Sequence, residues 1–417
     1  MQMNFSWVSL FFFNSYSAEL QFSVLVTTPE SSPVRFTVTA TGFSYSGIAT
    51  QNSSTNVTLP NSLQVRYVSD RDKGIYIKAE EHKKISVYGL NWYRYSTDVF
   101  LALPCNQLPV EEYEYYAVTY PTQHTWQHAM IVIVGCEDNT VISTTSTIIT
   151  LNRLQTYLIS SINDSTGIRI TSNKPIALFS NNECANVPNG VGSCDQLTEQ
   201  IPPTSTWGRI FMAASLLGRR SGEIFRIIAA QTSTNVTVSC TTFLQPVFHS
   251  LTDAVNWQEF DITPSSFCSI IATGPILVAQ FAKGFRADFV IGDPFMMLIP
   301  PVEQFNTNRY ILNTLPMFDL NCITVYVESQ YFQPERIFIN ENNINSSLWS
   351  QVEGNNNVVI GYITRVNLTT GDHRLYHLDQ DARLGVSVYG FSIGNSYGYP
   401  GGMMLTPLQC KSKNSLI

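Results

Sequence analysis

Charge is scarce in this 417-residue chain: only 13% of residues are Asp, Glu, Lys or Arg, about half the usual share. No basic tract is present and the net charge is -7, so nothing is available to neutralise a run of phosphates, which argues against a nucleic-acid partner. No apolar run approaches the roughly 20 residues that cross a bilayer, so membrane insertion is not expected. C-x-x-C, H-E-x-x-H and the phosphate-cradling Gly/Lys/Ser order are all missing. Each absence removes a familiar route to zinc, thioredoxin-like redox or nucleotide chemistry. Helical periodicity is missing too, and "SLLGRRSG" (215–222) is short and broken by glycine.

Apolar residues reach 44% and aromatics 12%, with polarity supplied by Asn, Ser, Thr and Tyr. Eight cysteines stand at 105, 136, 184, 194, 240, 268, 322 and 410. An even count without metal-type spacing favours disulfides in an oxidising compartment. The firmest pair is Cys184–Cys194, closing the glycine-containing loop "ANVPNGVGS". Neighbour pairing would then join Cys105 to Cys136, Cys240 to Cys268 and Cys322 to Cys410, one connectivity among many. Sequons occur at Asn4, Asn52, Asn56, Asn163, Asn235, Asn345 and Asn367. These features together imply a secreted, extracellular glycoprotein. "WVSLFFF" (7–13) followed by "SYSA" (15–18) resembles a signal h-region, although no basic residue precedes it.

The chain carries one pattern four times. The copies begin "VRFTVTATG" (34–42), "MIVIVG" (130–135), "IFRIIAA" (224–230) and "CITVYVE" (322–328). They close with "LALP" (101–104), "QIPP" (200–203), "MLIPP" (297–301) and "MMLTP" (403–407). Apolar residues alternate within them, as in half-buried strands. The expected fold is all-β, with four related antiparallel β-sandwich or jelly-roll-like repeats. A propeller-like arrangement is the alternative. The division is a signal-like or truncated start at 1–18, repeats at 19–104, 128–203, 223–301 and 321–410, connectors at 105–127, 204–222 and 302–320, and a tail at 411–417. Within each repeat an "A-x-x-x-I-x-V-Y-G" element, with "EEHKK", "SNK" or "TG" at its centre, reads as a hairpin.

Candidate chemistry is thin. His124 and His128 stand four apart, but in a strand-like context that suits packing around Trp126 better than zinc. Asp70 with Asp72, and Asp379 with Asp381, are the weaker reading as calcium ligands and the stronger as turn formers. "GRRSGE" (218–223) and "GDPF" (292–295) read as turns. No cofactor, metal or enzymatic activity is expected. The better candidate is a ligand-binding surface: "YGLNWYRYSTD" (88–98) offers Trp92, Tyr93, Arg94 and Tyr95, the residue types that anchor recognition surfaces. The alternative there is a strand whose alternate members face opposite ways. "NSYGYPGG" (395–402) reads as a mobile, tyrosine-bearing loop.

Several ordered segments carry a family resemblance. "KGIYIKAEEHKKISVYGLN" (73–91), "STDVFLALPCNQLPVEEY" (96–113), "KPIALFSNNECANVPNG" (174–190), "CDQLTEQIPPTSTWG" (194–208), "GPILVAQFAKG" (274–284) and "GDPFMMLIPPVEQF" (292–305) are similar to the N-terminal domain of the IgGFc-binding protein family. The resemblance spans about residues 20 to 410. It implies a secreted or cell-surface module acting by non-covalent binding of an extracellular protein or glycan, in adhesion, mucosal defence or matrix organisation. It does not imply that antibody Fc is bound. Larger members carry von Willebrand D modules, whose C-G-L-C-G-type cysteines are absent from this sequence. A structural spacer of matrix or mucus is the runner-up, and a glycan-active hydrolase ranks below it.

Overall fold

Two kinds of strand follow from two kinds of apolar pattern. Val34–Ala40 buries Val34, Phe36 and Val38 and turns Arg35 to solvent, and Thr234–Cys240 does the same with Val236 and Val238. Alternation of that kind leaves one face wet. Ala129–Gly135 (AMIVIVG) and Glu223–Ala229 (EIFRIIA) are instead buried at every position, which requires cover on both faces. The computed structural model describes residues 4–7, 9–10, 21–93, 95–105, 113–122, 127–253, 256–305 and 307–405. Among the described residues regular structure is strand, joined by short 3-10 turns.

The protein is all-β, built of several antiparallel sheets. The first outer sheet runs Asn4–Trp7, Ile75–Ala79, Val34–Ala40, Phe43–Ala49, and its inner companion runs Ser96–Leu101, Ser86–Tyr93, Gln21–Thr27, Thr55–Leu59. The second outer sheet is Tyr113–Tyr116, Arg169–Ser172, Thr140–Ser143, Ile148–Leu151, beside the inner order Asp195–Ile201, Ile176–Ala185, Ala129–Gly135, Thr156–Ser161. Numbered by order along the chain, the strands follow the same sequence in both pairs. The third pair keeps it with one device: Phe267–Ala282 is continuous, its first half pairing Gly208–Ala214 and Thr234–Cys240 and its second half Glu223–Ala229 and Met296–Leu298. In the fourth, Arg309–Thr314, Gly371–His377, Ile337–Ile339 and Asn342–Asn343 form the outer sheet. Its inner sheet is Asn395–Pro400, Leu384–Ser392, Leu320–Glu328, Val359–Leu368, with Ser350–Glu353 added at the edge.

The stretches expected as connectors contain strands: Tyr113–Tyr116, Gly208–Ala214 and Arg309–Thr314 each open the following outer sheet. The element read as a hairpin is a sheet-to-sheet crossing. Ile75–Ala79 and Ser86–Tyr93 lie in different sheets, as do Arg169–Ser172 and Ile176–Ala185, so "EEHKK" and "SNK" carry the chain over the edge of a core. Apolar alternation fixes which residues are buried but not which strand is the partner, and the short intervening turn suggested the wrong one.

Each inner sheet is shared between two cores. Met130, Val132 and Phe179 from the second inner sheet pack with Phe22, Val24 and Phe36 of the first core. Ile224, Leu277 and Phe281 of the third pack into the second core, and Cys322, Tyr389 and Phe391 of the fourth into the third. Tyr88, Leu90 and Val99 of the first then pack into the fourth core with Ile323 and Val386. The succession closes on itself. At its centre the inner-sheet strands Ser96–Leu101, Asp195–Ile201, Met296–Leu298 and Asn395–Pro400 touch in cyclic order.

Candidate functional site

The aromatic cluster expected at 92–95 is split by the strand that carries it. Trp92 is half-buried against the fourth core and Tyr93 against the first, on opposite faces of Ser86–Tyr93. Tyr95, at the turn, is 58% exposed, and Arg94 lies outside the described residues. Trp92 and Tyr93 therefore do not share one face. The stretch read as a mobile loop is the buried strand Asn395–Pro400, with Tyr397 and Tyr399 fully enclosed. Tyr397 Oη donates to Asn321 Oδ1 and Tyr399 Oη to the Asn313 carbonyl, which removes both from any surface role.

Cys105–Cys136, Cys184–Cys194 and Cys240–Cys268 are disulfide-bonded. The first ties the end of the first sheet pair to the start of the second. Cys240 and Cys268 stand directly opposite in register. Cys322 is a buried free thiol, pushed up to about 12 by burial, and Cys410 lies outside the described residues. Asn52, Asn56, Asn163, Asn235, Asn345 and Asn367 are all exposed.

The other sequence candidates have structural tasks. Asp70 accepts from the backbone N–H of Arg66 and Tyr67, and Asp379 from that of Asp381, so both close turns. Arg219 is buried, paired with Asp288 at 3.0 Å and bonded to the carbonyls of Lys283 and Ile291. His128 pairs with Glu183 at 3.2 Å, while His124 lies outside the described residues. Among the described residues no three His, Cys, Asp or Glu side chains are grouped to hold a metal ion.

Sequence reasoning missed a set of carboxylates at the centre. Asp98, Asp195, Glu199 and Asp293 come from three sheet pairs and are each at least nine-tenths buried. Asp98 accepts from Val99 N and, across the seam, from Thr198 N; Glu199 accepts from Leu298 N of the next pair at 3.1 Å. Burial holds Asp98 and Glu199 well above the usual carboxylate range, and Glu199 adds to the effect on Asp98. Burial and then Asp293 raise Asp195; burial raises Asp293 to about 6.

Open space lies at the seams that involve the fourth sheet pair. Between the first and fourth a cleft of about 520 Å³ is walled by Glu30, Lys84, Arg309 and Gln380, with Met403 and Met404 beside them. Between the third and fourth a cleft of about 790 Å³ is bounded by Phe243, Leu244, Phe248, Phe267, Gln351 and Glu353. The turn before Val247–Leu251 lifts Leu244 completely into solvent, and Phe248 is 74% exposed. Val358, also exposed, follows the Asn356 and Asn357 that line the facing wall, and its carbonyl accepts from Gly354 N. Apolar side chains clustered in the open at the mouth of a cleft are the usual mark of a protein-contact surface.

The sequence model of the family described as IgGFc binding protein matches residues 98–390, well over half of the chain. The human protein named IgGFc-binding protein is 25% identical over 248 residues, which is 56% of this chain and 4% of that relative's own length. No solved structure matches. Both seam-spanning carboxylates and the whole of the larger cleft fall within the matched residues. The chain belongs to the IgGFc-binding protein family.

Proposed function

We propose that this chain is a secreted recognition module, made of four related sandwich units closed into a ring, that binds an extracellular protein at the cleft between the third and fourth units. The observation that carries the reading is the exposed apolar rim of Leu244 and Phe248 on that cleft. Family membership supports an adhesive role without naming a ligand. The exposed sequon asparagines and the disulfides suit an extracellular setting. Binding would be by shape: an apolar centre enclosed by the polar groups of Gln351, Glu353 and Asn357. The hydrolase alternative needs two carboxylates facing a cleft, whereas the carboxylate neighbours here, Asp98 with Glu199 and Asp195 with Asp293, are buried at the axis.

The test is binding of the glycosylated chain to an array of extracellular proteins, immunoglobulins and glycans, beside a Leu244→Ser, Phe248→Ser variant. Both positions are exposed, so the variant should fold normally. A saturable protein hit weakened about tenfold or more by the variant is expected, as for loss of central apolar anchors. A glycan hit untouched by the variant would place the site elsewhere, and no hit from folded protein would favour the structural spacer.

A further inference from the structure

At one end of the axis the residues that open the central strands converge. Asp195 and Asn395 begin their strands, and Asp293 stands just before Met296–Leu298. Ser96, at the start of the fourth strand of the set, donates its hydroxyl to Asp195 Oδ1. Ser396 donates to the backbone carbonyl of Asp293. Asp293 Oδ2 lies 3.8 Å from where a side chain on Gly394 would begin, next to Asn395. Asp195, Asp293 and Asn395 are 1%, 7% and 5% exposed.

Three oxygens in this group, Asp195 Oδ2, Asp293 Oδ1 and Asn395 Oδ1, have no hydrogen-bond donor among the described residues. The amide hydrogens of Asn395 go to Thr97 Oγ1 at 3.0 Å and the Tyr93 carbonyl at 3.4 Å, which leaves the oxygen as the group's outstanding acceptor. Among the described residues Arg219, whose charge acts on Asp293, is committed to Asp288 and to backbone carbonyls. Buried acceptors without donors are costly and are seldom left so. A hard divalent cation satisfies all three together, because carboxylate and amide oxygens are the ligands it takes.

We propose that Asp195, Asp293 and Asn395 form a calcium site at the point where the second, third and fourth sheet pairs meet. The ion takes Asp195 Oδ2, Asp293 Oδ1 and Asn395 Oδ1, replaces the missing donors and pins three inner-sheet strands to one another. Two carboxylates match its charge. The site has no part in the recognition cleft and stands or falls independently of it.

The experiment is calcium titration of the chelator-treated full chain by calorimetry, with the thermal midpoint read in parallel and magnesium as a second arm. One calcium per chain and a raised midpoint are expected. Asp195→Asn with Asp293→Asn, close in shape and uncharged, should weaken binding about tenfold or more. It should also abolish the calcium-dependent rise in midpoint while leaving a folded protein. The proposal is overturned if folded wild type binds neither ion at millimolar concentration. It is equally overturned if the double variant binds calcium as wild type does, or if Asp293→Asn alone raises the midpoint without calcium and leaves calcium binding unchanged. That last result would mean the two carboxyls share a proton instead of an ion.

Discussion

Glu223 shows how single residues record the ring. It opens an inner-sheet strand, is fully buried, and burial raises its carboxyl to about 8 against the offsetting charges of Arg219, Lys283 and Arg365. The folded chain therefore keeps a proton that the unfolded chain gives up near the ordinary glutamate value. Stability is greatest below that value and falls as pH rises toward about 8. Glu223→Gln removes the titration. Chemical unfolding across pH 4 to 8 should show wild type losing ground to the variant as pH rises, and parallel profiles would contradict the assignment. Residues of this kind were hard to see in the sequence, where EIFRIIA reads as a mainly apolar strand with one acid and one base. The aromatic run at 92–95 left two readings open, a platform or a strand with alternating faces. Residue type suggested a platform, but neighbouring side chains on a strand point to opposite faces, and Trp92 and Tyr93 go to two different cores.

At the scale of elements, much more was legible. Period-two alternation marks outer strands such as Val34–Ala40, and unbroken apolar runs such as Ala129–Gly135 mark inner strands covered on both faces. Strand partners were not legible. The crossing at "EEHKK" looks like a hairpin because a short polar turn between two strands is compatible with either pairing or changing sheets. The third pair makes the difference plain, since its equivalent element never turns and runs straight from one sheet to the other as Phe267–Ala282. The Cys184–Cys194 loop decorates the junction between Ile176–Ala185 and Asp195–Ile201, and removing it should be felt there. Cys184→Ala with Cys194→Ala is expected to cost about 2–3 kcal/mol in denaturant unfolding, the loop-closure value for so short a ring. An unchanged midpoint would show that the loop is held by its neighbours alone.

For the whole molecule, an all-β build of several antiparallel sheets was visible in the chain, but the way the sheets share cores was not. Each inner sheet needs the next core as cover, so no sheet pair completes its own burial, and the last must return to the first. Consecutive pairs are held near each other by the chain itself. The first and fourth are not, and their contact is the part of the architecture that connectivity does not supply. Tyr88 Oη donates to the Gly401 carbonyl at 2.7 Å across that seam, and nearer the surface Asn313 Nδ2 reaches Ser54 Oγ at 3.1 Å. The seam clefts, and with them the proposed recognition surface, depend on the fourth pair being locked in place from both sides. The most direct measurement is therefore thiol crosslinking of a Ser54→Cys, Asn313→Cys variant with a short bifunctional reagent, read by peptide mass spectrometry. A closed ring predicts rapid, near-complete joining of residues 54 and 313 in the native chain and its loss on unfolding. Two thiols that stay separately modified in folded protein would contradict the closure on which the account rests.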